Sequence, residues 1–481
     1  MRQTEPVQRL TGLDAGYLYM ETPTLHMHTL KISVLDPSTV PGGYSFPRVR
    51  EELERRLHLL PPFRRRLVEV PLGINHPLWV EDPDFDVEWH VRRITAPAPG
   101  GHRQLCEVIS DIASHQLDRS RPLWEIWVVE GLEGGRIGFV AKLHHSLADG
   151  VAAAALLANV LEVEPDPRDP RPPERQWVPD AIPSTWPLVV AAVRDLLRAL
   201  AGIPGLVRRT VVGMRAAARV RRRHPQVPSA TPLNTPRTRF NGALTPHRVF
   251  ATATLPLDEV KAVRRAFGVT VNDVVLGVCA GALLRYLDGH GERPEKPLLA
   301  GVPISVSGPV DVPRLAGNRV SNMFVSLRTD LADPVARLRA IHESASVAKE
   351  AFAALGADMY ADWSELTPPR PFAAWMRLYS RLRLADHHAP PQNVIISNVA
   401  GPTDPLYIAG AKLVELYSTG PILEGIGLNI TVWSYLGTLY AGLIACRESM
   451  PDLWDLCALL SEALAELSSS AAAVTAGSVP G

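Results

Sequence analysis

A proline-rich segment about a third of the way along the chain decides how the rest of it can fold. Residues 162–183 read EVEPDPRDPRPPERQWVPDAIP. Each proline removes a backbone hydrogen-bond donor and blocks the continuation of a helix, so neither a helix nor a central strand can run through this stretch. We therefore predict an extended connection between two separately folded parts.

The sequence on both sides of this connection alternates between strand and helix patterns. Residues 137–143 and 428–434 are typical strands, whereas residues 103–117 and 334–352 carry helical spacing. We predict an α/β fold with mixed sheets in two domains, residues 1–164 and 236–467. Residues 165–235 form the proline-rich and helical linker, and residues 468–481 form a disordered tail.

Composition excludes several classes of protein. Apolar residues make up 46% of the chain, which is ordinary for a globular protein and too high for a mainly disordered one. The 50 acidic and 50 basic side chains balance, which argues against a nucleic-acid binder. The four cysteines form no CxxC pair, so we expect reduced thiols in a reducing compartment and no metal site. Without a signal-peptide pattern or an apolar run of about twenty residues, we expect a soluble or peripheral protein.

The linker carries most of its charge on arginine. We predict two helices, residues 187–200 and 205–223, separated by Gly202-Ile203-Pro204. Seven arginines and no acid lie between residues 208 and 224. Two interpretations stay open for this amphipathic basic helix: it lies in an anionic membrane surface, or it packs on the protein with a solvated arginine face.

One segment carries residues suited to catalysis. Residues 142–150 read KLHHSLADG, so a predicted strand runs into His144 and His145, followed by a turn and a helix of small residues. Neighbouring strand residues face opposite sides, so one histidine faces a given cavity. A neutral histidine can take a proton from a hydroxyl, and Asp149 can cap the following helix. A structural or metal-binding histidine pair is the alternative. A GxSxG elbow is missing, which argues against a covalent serine hydrolase.

This segment matches a known motif. HHSLADG resembles the HHxxxDG motif of the CoA-dependent acyltransferase superfamily, which includes chloramphenicol acetyltransferase and peptide-synthetase condensation domains. Further blocks resemble the bacterial wax ester synthase/acyl-CoA:diacylglycerol acyltransferases; they are Leu13-Asp14-Ala15, Glu21-Thr22-Pro23, Met27-His28, Pro122-Leu123-Trp124, Asn272-Asp273, Val302-Pro303-Ile304-Ser305, Gly317-Asn318-Arg319, residues 397–402 and residues 429–435. Together they span roughly residues 10–465. Two positions depart from the family pattern, Ala400 and Cys446.

The resemblance implies two chloramphenicol-acetyltransferase-like domains and an acyl-CoA-dependent O-acyltransferase. His145 is then the general base, His144 a positioning neighbour, Asp149 a structural residue that holds the loop, often through an arginine, and Gly150 the residue of the tight turn. An oxyanion donor is also needed. The candidates are Asn272, Asp273, Thr431 and Ser434. For Asn272-Asp273 the alternative is helix capping, and for Gly317-Asn318 it is a simple turn.

The implied substrates are long-chain acyl-CoA, as a co-substrate rather than a bound cofactor, and diacylglycerol or a fatty alcohol. We expect no metal and no nucleic acid. We expect a cytoplasmic protein peripheral to the inner membrane or lipid droplets, and the sequence leaves a homodimer open. Two alternatives remain, a catalytically silent lipid-binding or lipid-droplet protein of this fold and a condensation-type acyltransferase with another acceptor.

Overall fold

The computed structural model describes residues 8–166, 184–228, 234–306 and 314–477, with isolated positions between these ranges. The α-helices are α1 Gly12–Met20, α2 Phe46–Arg56, α3 Val87–His90, α4 His102–Ser114, α5 Gly150–Ala158, α6 Thr185–Arg223, α7 Leu257–Phe267, α8 Val271–Gly289, α9 Pro334–Leu355, α10 Met359–Ser364, α11 Pro369–Arg381 and α12 Leu453–Gly477. The strands are β1 Gln8–Arg9, β2 His28–Asp36, β3 Arg65–Val68, β4 Leu78–Glu81, β5 Val91–Thr95, β6 Trp124–Glu130, β7 Ile137–His144, β8 Arg248–Pro256, β9 Leu299–Ser305, β10 Val320–Ser326, β11 Val394–Val399, β12 Tyr407–Ile408, β13 Ala411–Thr419, β14 Leu428–Tyr435 and β15 Thr438–Cys446.

Two six-stranded mixed sheets form the centres of two α/β domains, which confirms the predicted fold class. The first sheet has the order β12-β13-β2-β7-β6-β5 and the second the order β10-β9-β11-β14-β15-β8. In the first sheet β7 is antiparallel to both neighbours, with His28 opposite His144, and β5 runs parallel to β6. Strand β7, which ends at the His144-His145 pair, therefore lies in the interior of its sheet, where pairing on both sides holds its end in place.

The second half of the chain contributes two strands to the first sheet. After β11 the chain crosses over to form β12 and β13, and β13 pairs with β2 before the chain returns as β14. The predicted boundary of residues 236–467 for a self-contained second domain is therefore wrong for this stretch. Strand patterns record which residues are extended but not which sheet they join.

Each domain has its own apolar core. In the second core α8 and α12 pack together, and Leu456, Leu460 and Leu464 of α12 are buried. By length and composition α12 could cross a membrane over Leu453–Thr475, but its leucines face this core. All four cysteines are free and buried, as predicted.

The predicted disordered tail is wrong for residues 468–477, because α12 continues to Gly477. Ala471 is buried in the second core, so the helix gains contacts beyond Leu467. Ser469 and Thr475 donate hydrogen bonds to carbonyls one turn earlier, Ala465 O and Ala471 O. Residues 478–481 lie outside the described residues.

The linker helix α6 differs from its prediction, because one 39-residue helix replaces the two expected segments and Pro204 lies within it. Both halves are held by tertiary contacts. Leu188 and Ala192 pack against the small sheet β1-β4-β3 of the first domain. Ala217 and Val220 pack against α9 of the second domain. Packing at both ends compensates for the hydrogen bond that Pro204 removes. The proline-rich residues 167–169 and 173–176 lie outside the described residues.

Candidate active site

The end of β7 separates the two motif histidines onto opposite sides of the sheet. His144 points into the first domain, where its ring meets His28 edge-on at 6.1 Å between centroids. The His145 backbone N–H donates to Met27 O at 2.7 Å, and Leu147 N–H donates to His144 O at 3.0 Å to close the turn. This alternation directs the His145 ring into a cavity between the domains.

The cavity has a volume of about 1450 Å³ and is lined by both domains and by α6. The first domain contributes Tyr17 and Lys31 in addition to His145. The second domain contributes residues of β10, β11 and β14. Met214 of α6 lies at its edge. A cavity of this volume, lined largely by apolar side chains, is large enough for a substrate bigger than a simple metabolite.

Hydrogen bonding fixes which nitrogen of His145 carries the proton. Asn318 Nδ2 donates to Asp14 Oδ1 and to His145 O, both at 2.7 Å. Because both partners are acceptors, the amide of Asn318 has one possible orientation, and its Oδ1 faces His145 Nδ1 at 3.0 Å. Nδ1 must then carry the hydrogen, and the lone pair of Nε2 is left for a substrate proton.

The surroundings of His145 keep it neutral. Burial lowers its pKa below the ordinary value, while the charge of Asp149 and the hydrogen bond to Asn318 oppose this shift. The ring of Tyr17 lies against the imidazole, with 4.3 Å between ring centroids. A histidine with a lowered pKa is in its basic form at neutral pH, which is the state a general base requires.

Behind Asn318 lies Asp14, near the start of α1. Thr11 caps this helix, and its hydroxyl donates to Asp14 Oδ2 at 2.8 Å. Burial raises the pKa of Asp14 to about 6. Asp14, Asn318 and His145 therefore form a chain of hydrogen bonds that starts in one domain, passes through the other and returns.

The Asp149 carboxylate is fully used in holding the loop. Its Oδ1 accepts from Ala152 N–H at 2.9 Å, which caps α5. Its Oδ2 accepts from the Arg314 guanidinium at 2.5 Å and from Arg319 N–H at 2.7 Å. These contacts tie the loop to the second domain, as a structural role would require. Gly150 begins α5, and space around it is open.

His144 and its neighbours form a buried polar cluster outside the cavity. His144 Nδ1 contacts Ser146 Oγ at 2.7 Å, and its Nε2 lies 3.7 Å from Glu21 Oε1. Burial lowers the pKa of His144 to about 3, so this ring is neutral. Its contacts support the turn that carries His145.

The oxyanion candidates are scattered. Asn272 and Asp273 do not line the cavity, and Asp273 forms a capping box with Thr270 at the start of α8. Asp273 therefore fits the alternative interpretation, helix capping, and neither residue is in position to contact a substrate in this cavity. Ser434 accepts from Gly401 N–H at 3.0 Å and also lies outside the lining. Thr431 lines the cavity, with its hydroxyl donating to Asn429 Oδ1 at 2.8 Å.

Three residues of the site had no functional role in the sequence prediction. Tyr17 and Lys31 line the cavity, and Asn318 contacts His145 directly. Asn318 lay in a recognised block, with a simple turn as the alternative interpretation, and no catalytic role was assigned to it. Its contact partner is 173 residues away, so local sequence gives no signal for it.

Comparisons with known proteins agree with this geometry. Residues 10–275 match the wax ester synthase/diacylglycerol acyltransferase catalytic domain, and residues 316–468 match the C-terminal domain of the same proteins. A putative diacylglycerol O-acyltransferase of Mycobacterium tuberculosis strain CDC 1551 is 39% identical over 464 residues, covering 96% of this chain and 90% of the relative. The structure of a wax ester synthase/diacylglycerol acyltransferase from Marinobacter aquaeolei VT8 is 29% identical, with a TM-score of 0.65 over 97% of this chain and 100% of that one.

The same fold occurs in a more distant protein. The first condensation domain of the calcium-dependent antibiotic synthetase is 16% identical, with a TM-score of 0.59, covering 98% of this chain and 97% of that domain. The two sheets and the histidine-bearing loop between them define an acyltransferase of the two-domain type. Within that class, the chain belongs to the wax ester synthase/diacylglycerol acyltransferase family. It is an acyl-CoA-dependent O-acyltransferase.

Proposed function

We propose that this enzyme transfers a long-chain acyl group from CoA to the free hydroxyl of diacylglycerol, and to long-chain alcohols, with His145 as the general base. The observation that carries the mechanism is the fixed tautomer of His145. Asn318 Oδ1 accepts the hydrogen on His145 Nδ1, with 3.0 Å between Oδ1 and Nδ1. Nε2 therefore carries no hydrogen and can act as an acceptor in the cavity that His145 lines.

The reaction needs no acyl-enzyme. The substrate hydroxyl loses its proton to His145 Nε2 and attacks the thioester carbonyl carbon, which becomes a tetrahedral oxyanion. Collapse of this intermediate forms the ester and breaks the carbon–sulfur bond. The CoA thiolate takes the proton from His145, which returns to its starting state.

The His145→Ala variant tests this role. With palmitoyl-CoA and dioleoylglycerol, we expect the loss of the base to lower kcat by about 10²- to 10⁴-fold. His90→Phe is the matched control, because His90 is buried, stacks on Trp124 and does not line the cavity. Full activity of His145→Ala would exclude the general-base role. An inactive wild type with both diacylglycerol and hexadecanol would exclude the proposed acceptors and favour a silent lipid-binding protein.

We further propose that α6 attaches the enzyme to an anionic lipid surface, at the inner membrane or on lipid droplets. Exposed apolar side chains recur along α6 in two groups, residues 186–200 and 207–214; they are Trp186, Val190, Val193, Leu197, Leu200, Val207, Val211, Val212 and Met214. Trp186 is 74% exposed and Leu197 61%. The buried residues Leu188 and Ala192 lie on a different face of α6 from Trp186 and Leu197.

Charge supports a lipid surface as the occupant of this face. Arg208, Arg215, Arg219 and Arg222 are exposed toward the C-terminal end of α6. A second copy of the same helix would bring more arginines to the interface, whereas anionic headgroups would neutralise them. Met214 also lines the cavity, so a lipid that leaves this surface has a direct route to His145.

Flotation with vesicles of phosphatidylcholine and phosphatidylglycerol tests this attachment. We expect Trp186→Ser/Leu197→Ser to reduce the floated fraction at any salt concentration. Glutamine at Arg208, Arg215, Arg219 and Arg222 should reduce it mainly at low salt. Leu436→Ser is the control, because Leu436 is 43% exposed in the turn between β14 and β15, away from α6 and from α9 and α10, which pack on it. Unchanged flotation would remove α6 from membrane binding, and a dimer in light scattering that the Trp186→Ser/Leu197→Ser variant abolishes would assign the face to a homodimer instead.

A further inference from the structure

A lysine is buried in the wall of the cavity. Lys31 lies on β2, only 4% of its surface is exposed, and it is one of the residues that line the cavity. Its Nζ donates to Ser418 Oγ at 2.7 Å and lies 4.8 Å from the centre of the Trp433 ring. A buried ammonium group normally requires an ionic partner or several acceptors.

Lys31 has neither among the described residues. No described carboxylate forms an ion pair with it, and Ser418 Oγ accepts one of its three hydrogens. Lys142, on the neighbouring strand opposite Leu30, is the informative comparison. Lys142 is equally buried, but its Nζ donates to the carbonyls of Ile112 and His115 and does not line the cavity. Lys31 thus keeps donors free toward the cavity, and Lys142 does not.

The position of Lys31 relative to His145 sets what it can reach. Met27, just before β2, and Thr29 and Lys31 on β2 alternate along the chain, and all three line the cavity. Met27 O accepts from His145 N–H, so Lys31 lies four residues along the strand from the catalytic histidine. At about 3.3 Å per residue, this separation is about 13 Å between backbones, and the flexible lysine side chain can shorten the distance to the bound substrate.

We propose that Lys31 binds an ester carbonyl of a glyceride whose free hydroxyl lies at His145. This inference rests on the proposed function and adds the part of the acceptor that the enzyme recognises. In diacylglycerol the ester carbonyl oxygens lie about 5 to 7 Å from the free hydroxyl, from bond lengths of about 1.2 to 1.5 Å. With a hydrogen bond of about 2.8 Å at each end, the glyceride can bridge about 11–13 Å, which is similar to the backbone separation of the two residues estimated above.

The thioester carbonyl of acyl-CoA is too close to His145 to be the carbonyl that Lys31 binds. The thioester carbonyl must lie within bonding distance of the attacking oxygen and therefore directly at His145, whereas Lys31 lies further along the cavity. A simple fatty alcohol has no second oxygen to place at Lys31. The same site therefore favours diacylglycerol over a fatty alcohol, because only the glyceride satisfies the free donors of Lys31.

An ether analogue tests carbonyl recognition directly. The full-length enzyme is assayed with palmitoyl-CoA and either 1,2-dioleoylglycerol or the 1,2-dioleyl ether, which keeps the hydroxyl and the chains but lacks the carbonyls. We expect wild type to prefer the diester in kcat/KM by about tenfold or more, and we expect Lys31→Met to lose this preference. Lys142→Met is the control and should keep the preference.

The outcomes separate this inference from the proposed function. If wild type acylates neither glyceride, the proposed function fails. If wild type acylates both equally well, or if Lys31→Met keeps the wild-type preference, the Lys31 site is wrong. An equal loss of activity with both acceptors in Lys31→Met also overturns it, since a carbonyl-binding residue must act on the diester alone. If Lys31→Met does not fold, Ser418→Ala, which releases Nζ from its anchor, replaces it, and an unchanged preference there would contradict the proposal.

Discussion

Replacement of Asn318 by alanine tests how much the orientation of the His145 ring contributes to activity, because the histidine itself is still present. The Asn318→Ala variant keeps His145 but removes the acceptor of its Nδ1 hydrogen and the two donors at 2.7 Å to Asp14 and His145 O. The imidazole can then place its proton on Nε2, where it blocks the base. Asn318 is 7% exposed, so water does not readily replace the lost bonds.

The size of the effect follows from these contacts. A neutral hydrogen bond contributes about 0.5–1.5 kcal/mol, so its loss changes the ratio of the two tautomers by roughly 2- to 13-fold. A ring that is no longer held also shifts from its productive position, which adds about tenfold or more. We expect kcat with dioleoylglycerol to fall by about 20- to 130-fold, and by less than in His145→Ala measured in the same assay.

The pH profile provides an independent readout. The hydrogen bond to Asn318 raises the pKa of His145, so its removal lets burial lower that pKa further. His145 must be neutral to act, and therefore the acid limb of kcat/KM should move to lower pH in Asn318→Ala. Asn241→Ala is the control, because Asn241 is a buried asparagine that donates to Asn393 O and Gly425 O and does not line the cavity. A kcat within twofold of wild type, with an unmoved acid limb, would refute the tautomer argument.

Three further predictions concern the loop, pH and the linker helix. Asp149→Asn weakens the contact to Arg314 because the side chain loses its negative charge. We therefore expect faster amide hydrogen exchange in the loop before α5 and a kcat lower by about tenfold. Unchanged exchange would contradict the role of Asp149 in holding this loop. Burial lowers the pKa of several histidines below 6.5, to about 4 for His26 and His76 and about 3 for His144. The unfolded chain binds more protons below pH 6.5, so stability is complete above that pH and should fall as pH drops toward 4, by up to about 1.4 kcal/mol per histidine per pH unit in urea titrations; a flat profile would show that these rings are not buried and neutral. Gly213→Ala places a Cβ 2.3 Å from Leu355 O of α9. We expect this overlap to lower the free energy of unfolding by about 1–3 kcal/mol. An unchanged midpoint of urea unfolding would contradict this close packing of α6 on α9.

Strand patterns and the motif located the first sheet and its histidines correctly, because these signals are local. β7 and the turn after it were predicted from residues 137–150, and β7 was found at Ile137–His144. The helical spacing of residues 334–352 likewise predicted a helix, which was found as α9 at Pro334–Leu355. Alternating faces along a strand and repeating faces along a helix follow from backbone geometry alone.

The predictions from sequence that differ from the structure concern segments whose conformation depends on contacts with distant parts of the chain. Pro204 indicated a break, yet contacts of Leu188 with the first domain and of Ala217 with the second keep α6 continuous. Asn272-Asp273 was a candidate for the site, but the helix α8 uses Asp273 to cap its own start. Propensity describes what a segment prefers in isolation, and tertiary packing overrides it when it supplies more free energy.

The sequence alone determined the fold class, the family resemblance and His145 as the residue to test, since each depends on short patterns. Only the tertiary structure brought Asn318 to His145, from 173 residues away, and placed Lys31 in the same cavity. It also showed that β12 and β13 belong to the first sheet. The physical reason is that the proton position on a histidine and the free donors of a lysine depend on which atoms lie within about 3 Å, and chain folding brings those atoms together from distant segments.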